Sequence, residues 1–239
     1  MLFTELPLKP DLLKGIEALG FTQPTPVQKE AIPVLITEQK DLIGLAQTGT
    51  GKTAAFGLPM IQRIDVKKNI VQGLVIAPTR ELCVQISNDF KAFSKFIKGL
   101  SVATIYGGAS MDKQAKEIRS GAQIVVATPG RLMDMMKRRM IKINRVSYVV
   151  LDEADEMLNM GFKEDIDGIL EHTPTEKLTW LFSATMPKEV AKISKSYMSN
   201  PLEITVGHKN VGAENIQHVY YSIPERERYK AVKLSLIHI

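Results

Sequence analysis

Eight residues carry the plainest chemistry in this chain: Ala46, Gln47, Thr48, Gly49, Thr50, Gly51, Lys52 and Thr53, reading AQTGTGKT. An apolar run of Leu42, Ile43 and Leu45 leads in, and the helix formers Ala54, Ala55 and Phe56 follow. A strand, a glycine-rich turn and a helix start in that order form an anion trap. The first turn of a helix presents unpaired N–H groups and the positive end of its dipole, and glycines let the backbone close round a phosphate. In this pattern Lys52 reaches the β- and γ-phosphates of a nucleotide, and the Thr53 hydroxyl binds Mg2+. The general pattern opens on glycine, where this chain has Ala46; Gly51, Lys52 and Thr53 all match it.

A second group, Asp152 and Glu153, closes the apolar run Tyr148, Val149, Val150, Leu151. A carboxylate at the end of such a strand holds Mg2+, directly or through water, in phosphate-loop NTPases. Glu153, one residue later, can turn toward the γ-phosphate and orient the attacking water. Acidic residues also favour helix starts for dipole reasons alone, a reading that weighs more for Asp155 and Glu156. Gln28 carries an amide that can read a nucleobase edge, although its chemistry alone suits a solvated helix position. The histidines His172, His208, His218 and His238 are scattered, and the single Cys83 excludes an intramolecular disulfide or a multi-cysteine zinc site.

The elements that must hold these groups follow from apolar spacing. Short apolar runs at residues 42–45, 73–77, 102–106, 124–127, 148–151, 178–182 and 202–206 read as strands. Helical patterns lie between them. Pro10 and Asp11 open one that places Leu12, Leu13, Ile16 and Leu19 on one face and ends at Gly20; Thr25 and Pro26 open the next, to about Thr37. Others follow the phosphate loop to about Arg63, follow Arg80 with Leu82, Ile86, Phe90, Phe93 and Phe96, and run over 111–120, from 129 and over 187–199. Strands apolar throughout, alternating with helices, predict an α/β fold: a mostly parallel sheet covered on both faces. Ligands of such sheets bind beyond the carboxyl ends of the strands. Six of these ends carry polar or glycine punctuation: 46–53, 78–80, 107–108, 128–131, 152–155 and 183–185.

At 239 residues one large domain or two small ones are expected, with a core that needs no staples. The net charge of +5 permits an anionic partner without demanding one. No run of 18 apolar residues occurs and residues 1–10 lack the features of a signal peptide, so the expectation is a cytoplasmic protein with no membrane span.

With these residues in hand, the chain resembles the N-terminal RecA-like domain of DEAD-box RNA helicases, ATP-dependent enzymes that separate RNA duplexes locally. The likeness covers residues 3–206, and the motifs occur in family order. The segment GFTQPTPVQ looks like the Q motif, with Phe3 at the family's upstream aromatic position. The resemblance implies that Phe3 stacks on adenine and Gln28 reads its edge, with help from Thr22. AQTGTGKT is similar to motif I, in which the family itself uses alanine at the position of Ala46. Pro78, Thr79, Arg80, Glu81 and Leu82 resemble motif Ia, Gly107 and Gly108 the GG element, and Thr128, Pro129, Gly130 and Arg131 motif Ib. These would grip an RNA strand by phosphates and sugars, contacts that carry no sequence information. Asp152, Glu153, Ala154 and Asp155 spell the motif that names the family, and Ser183, Ala184 and Thr185 look like motif III, which couples the nucleotide site to RNA.

The implied cofactors are ATP and Mg2+, and the implied organisation is a monomer with an ATP-binding domain over 1–206, including a Q motif at about 3–31. Residues 207–239 then read as a linker and the incomplete start of a second RecA-like domain, with a strand near 215–223 and a helix from Glu225. Family members complete their active site with arginine fingers from that second domain, so this chain is expected to be a truncated piece, nearly inactive in isolation. An ATP-gated RNA clamp without unwinding of its own shares the same motifs. A GTPase would need an Asn-Lys-x-Asp motif and a transporter ATPase a Leu-Ser-Gly-Gly-Gln-like signature; neither is in the sequence.

Overall fold

The apolar runs do form strands. The computed structural model describes residues 1–206 and 222–237. Strands β1 (Leu42–Leu45), β2 (Gly73–Ile76), β3 (Val102–Ile105), β4 (Ile124–Ala127), β5 (Tyr148–Asp152), β6 (Leu178–Ser183) and β7 (Leu202–Thr205) make one sheet in the order β3-β4-β2-β5-β6-β1-β7. Every pairing is parallel. Parallel neighbours need crossover connections, and helices supply them.

Side chains alternate between the sheet's two faces, so each face has its own core. Val75, Val150, Trp180 and Phe182 point to one, where α1 (Pro10–Ala18), α2 (Pro26–Thr37), α3 (Lys52–Arg63) and α4 (Arg80–Phe93) cover them. Leu74, Ile76, Val149, Leu151 and Leu181 point to the other. There α5 (Met111–Arg119), α6 (Pro129–Lys137), α7 (Ala154–Asn159), α8 (Lys163–Glu171) and α9 (Lys188–Tyr197) cover them. Burial on both sides is what makes the inner strands read as unbroken apolar runs. The edge strands differ from that expectation: β3 alternates buried and half-buried residues, and β7 buries only Ile204.

Three further details depart from the sequence reading. Leu19 caps α1 and is 40% exposed instead of joining the buried face of Leu12 and Ile16. Helix α4 ends at Phe93, which leaves Phe96 exposed. The stretch after Asp152, unassigned from sequence, holds α7 and α8; Gly161, at φ +84°, breaks it into two short helices, each too brief for a clear apolar period.

One buried carboxylate fixes the edge of the sheet. Asp41 accepts the N–H of Thr179 at 2.6 Å and that of Ser199 at 2.5 Å, tying the start of β1 to β6 and to the segment before β7. From Glu225 the chain forms a short 3-10 turn, Glu225–Glu227, and then α10 (Arg228–Ile237), in agreement with the expected helix start. The predicted linker from 207, most of the predicted strand near 215–223, and His208, His218 and His238 lie outside the described residues.

Candidate functional site

Because all seven strands are parallel, their carboxyl ends share one rim. The strand order divides the conspicuous loops into two groups. The phosphate loop follows β1, residues 183–185 follow β6 and residues 152–155 follow β5; these strands are adjacent. Residues 78–80, 128–131 and 107–108 follow β2, β4 and β3, which are adjacent on the other side. Loops distant in sequence therefore meet because their strands pair.

The first group opens on a cleft of about 680 Å3, lined among others by Phe3, Thr22, Gln28, Thr48, Gly49, Lys52, Thr53, Asp152 and Glu153. Gly49 and Gly51 stand at φ +82° and +90°, so the loop needs glycine at both places. Gly51 is also the cap of α3, whose first turn begins at Lys52 and aims its N–H groups at the loop. Ala46 donates its N–H to the Ser183 carbonyl at 3.0 Å and is buried in the core, where a methyl group fits. The Thr50 hydroxyl donates to the Gln47 carbonyl at 2.7 Å and closes the loop on itself.

The electrostatics of the cleft are unusual. Lys52 is 6% exposed, and its buried ammonium has no hydrogen-bond partner. A buried, unpartnered cation is expensive in a folded protein, and here it lines a cavity large enough for a nucleotide. Asp152 is 3% exposed. Burial pushes its carboxyl up to about 6, against the pull of the Lys52 charge. Glu153 occupies the left-handed region, at φ 52° and ψ 51°, and caps α7. Its carboxylate accepts a long contact of 3.5 Å from the Thr48 hydroxyl across the loop.

Residues 183–185 bridge the phosphate loop, through Ala46, and the turn after β5, through Asp155. Thr185 donates to Asp155 Oδ2 through its N–H at 2.9 Å and its hydroxyl at 2.7 Å. The Asp155 N–H in turn donates to Ser183 Oγ at 3.2 Å. Burial raises the Asp155 carboxyl, but the hydrogen bonds from Thr185 and Ser183 prevail and hold it below the usual carboxylate range.

Gln28, which also lines the cleft, is not a solvated helix residue. It is 5% exposed; its Oε1 accepts the Thr25 N–H at 2.9 Å, and its Nε2 donates to the Gly51 carbonyl at 3.0 Å. A side chain at Gly51 would collide with that amide, 2.3 Å away. Gln28, expected from the resemblance to read the base, thus touches the phosphate loop itself. Phe3 is buried yet lines the cleft, and its N–H donates to the Thr22 carbonyl at 3.3 Å.

In the second group, the Arg80 guanidinium stands 4.7 Å from the centre of the Tyr106 ring, and Arg131 donates to the Ala109 carbonyl at 3.1 Å. Both contacts hold an arginine in place and leave most of its donors free. Gly107 and Gly108 are exposed between them in sequence, with Gly108 at φ +81°. Thr79 caps α4 by accepting the Leu82 N–H at 3.2 Å, and Thr128 caps α6 with Pro129 at its first position. Pro78 and Pro129 are buried, while Gly130 is half-buried.

A family model described as DEAD/DEAH box helicase matches residues 25–193, more than half of the chain. The chain belongs to the DEAD/DEAH box helicase family. Its curated relatives include the DEAD-box ATP-dependent RNA helicase CshA of Streptococcus pneumoniae, 47% identical over 229 residues that cover 96% of this chain and 43% of that protein. CshA of Geobacillus kaustophilus is 44% identical over 95% of this chain and 48% of its own length. Among solved structures, a DEAD box protein from the hyperthermophile Methanococcus jannaschii superposes with a TM-score of 0.83 at 37% identity, covering 99% of this chain and 63% of that one. The chain thus spans less than half the length of these two curated relatives. The parallel sheet of this DEAD-box domain agrees with the α/β architecture expected from sequence.

Two features of the DEAD-box site had no signal in the sequence. One is the left-handed backbone at Glu153, which any acidic residue ahead of a helix would hide. The other is the engagement of Gln28 with Gly51, a contact across 23 residues of sequence. Among the described residues no three histidines, cysteines or acids gather as a metal cluster. None of the residues lining the cleft is an arginine.

Proposed function

We propose that this chain is the ATP- and RNA-binding half of an ATP-dependent RNA helicase that couples ATP hydrolysis to local separation of RNA duplexes. One observation carries the reading: the Lys52 ammonium, buried and unpartnered, in the same cleft as Asp152 and Glu153. A triphosphate is the group that would satisfy that cation, together with the free N–H groups at the start of α3.

In this reading the residues divide the work as follows. Lys52 and the backbone of 49–53 bind the phosphates. Thr53 and Asp152 would hold Mg2+, which would supply charge neutralisation at the phosphates. One hydroxyl and one carboxylate suit an ion that keeps most of its ligands from phosphate and water. Glu153 orients the attacking water and accepts its proton. Phe3, Thr22 and Gln28, which line the same cleft, would hold the base. Arg80, Arg131, Thr79 and Thr128, with the glycines at 107–108 and 130, grip the sugar-phosphate backbone of RNA. Asp155, Ser183 and Thr185 link the two groups of loops.

Among the described residues no arginine lines the cleft, which supports a division of labour in which residues 1–206 form the nucleotide-binding domain and a second RecA-like domain supplies the arginine fingers. Competition binding tests the reading. ATP should displace a fluorescent adenine nucleotide far better than GTP, Lys52→Ala should abolish most affinity, and Gln28→Ala should weaken it with the fold intact. Equal competition by GTP would contradict the roles given to Phe3 and Gln28.

A further inference from the structure

A second cleft, of about 530 Å3, opens at the opposite end of the sheet. Its walls come from the segments that precede β2 (Asn69, Val71), β4 (Arg119) and β5 (Arg139, Lys142, Arg145). Four cations line it, all exposed, and no carboxylate does. None of the four forms an ion pair or a side-chain hydrogen bond among the described residues, whereas the neighbouring Arg138 is paired with Asp134. Like charges gathered without a counter-charge raise the energy of the free protein and favour a polyanion.

Arg139 gives a second, independent sign. Helices α1, α5, α6 and α7 each have a left-handed residue two positions past their last one. In three of them it is glycine: Gly20, Gly121 and Gly161, at φ 76°, 102° and 84°. After α6 it is Arg139, at φ 55°. Glycine is the residue that fits this cap without strain. A long cation held there, at the lip of a basic cleft, is a conformational cost without a packing return. The favourable dipole at a helix C-terminus accounts for a basic residue at Arg119; it does not account for Lys142 or Arg145, which lie outside any helix.

The cleft also lies in line with the RNA-facing loops. Helix α5 starts just after Gly107 and Gly108 and ends at Arg119; helix α6 starts beside Arg131 and ends just before Arg139. Each has nine residues, a length of about 14 Å, which a few nucleotides span. We infer that this basic cleft is a second binding site for the sugar-phosphate backbone of RNA, engaged by the part of the strand that runs off the rim past α5 and α6. The inference rests on the RNA-binding reading above. Three arginines and the amides of Asn69 and Asn144 suit phosphate oxygens. No sheet edge borders the cleft, since β3 and β7 are the edges and the flanking strands β4, β2 and β5 are inner ones, so an acidic peptide has no strand to pair with.

The test is binding of the 239-residue chain to oligouridine of about 6 and about 20 nucleotides, read by fluorescence anisotropy across a salt series. The variant combines Arg119→Gln, Arg139→Gly, Lys142→Gln and Arg145→Gln. It should bind the short RNA as the wild type does and the long RNA about 10-fold more weakly, with a salt slope lower by about 2–3. Arg139→Gly alone should lower the long-RNA slope by about 0.7 while melting at or above the wild-type temperature. An unchanged long-RNA affinity in the combined variant overturns the second site and leaves the RNA rim standing. Wild-type chain that binds neither RNA overturns both readings. Poly-L-glutamate that competes as well as long RNA would also overturn it, in favour of an acidic protein partner.

Discussion

Glu153 concentrates the argument at the scale of single residues. Its left-handed backbone, at φ 52°, costs a residue with a side chain about 1–2 kcal/mol, and such strain persists where surrounding structure or function demands it. Here it follows immediately after a buried Asp152 and within reach of the Thr48 hydroxyl. In a two-domain enzyme, Glu153→Gln should keep ATP binding and lose hydrolysis, because the amide cannot accept the proton of the attacking water. Glu153→Gly should also lose hydrolysis, yet melt no lower than wild type, since glycine relieves the strain. Normal turnover by Glu153→Gln would show that another group orients the water. Cys83 behaves in the opposite way, as a structural thiol. Burial pushes it up to about 12, while the thiol donates to the Ala77 carbonyl. The folded state therefore keeps a proton that the unfolded chain gives up above about 9, and this site loses its share of stability as pH rises through that window. Native protein at pH 8 should resist a thiol reagent that labels it fully in denaturant; rapid native labelling would mean that α4 opens. At this scale the sequence showed Lys52, Thr53 and Asp152, whose types and spacing are the signal. It did not show backbone angles, which leave no mark in residue type at Glu153.

The element that matters most is β6, placed between β1 and β5. Its end carries Ser183 and Thr185 to Asp155, so the turn after β5 and the phosphate loop after β1 are fastened to one bridge. A change on either side has a short path to the other. Thr185→Val removes one of the two hydrogen bonds to Asp155 Oδ2, a loss of about 1 kcal/mol. It should leave ATP affinity unchanged and, in a two-domain enzyme, reduce stimulation of turnover by RNA. ATP affinity falling in parallel would instead make this bridge part of the nucleotide site. Asp155 is held below the usual carboxylate range, so its bonds stabilise the fold at neutral pH and lose that effect as pH falls through its lowered range. The inner strands were legible because burial on both faces leaves unbroken apolar runs, as in Ile124–Ala127. Their order was not, since Leu42–Leu45 and Leu178–Ser183 pair across more than a hundred residues with nothing in either run to mark the other. Helices α7 and α8 were missed because each is short and rich in acids, and the buried Gln28 because its partner is a backbone carbonyl of another loop.

At the scale of the whole molecule the rim carries two groups of loops, one after β1, β6 and β5 and the other after β2, β4 and β3. In the proposed function one group of loops would offer a cation and two carboxylates to a nucleotide and the other would offer arginines to RNA, while among the described residues no arginine lines the nucleotide cleft. An arginine finger contributes roughly 10³–10⁵ in rate to phosphoryl transfer. If that group arrives only when a second RecA-like domain closes over ATP and RNA together, binding and turnover must separate cleanly in this chain. Steady-state ATP turnover of the 239 residues, measured with and without single-stranded RNA beside a direct ATP-binding titration, is the decisive measurement. The account predicts Mg2+-dependent ATP binding with very slow turnover that RNA hardly changes. Robust RNA-stimulated hydrolysis by this chain alone would contradict it.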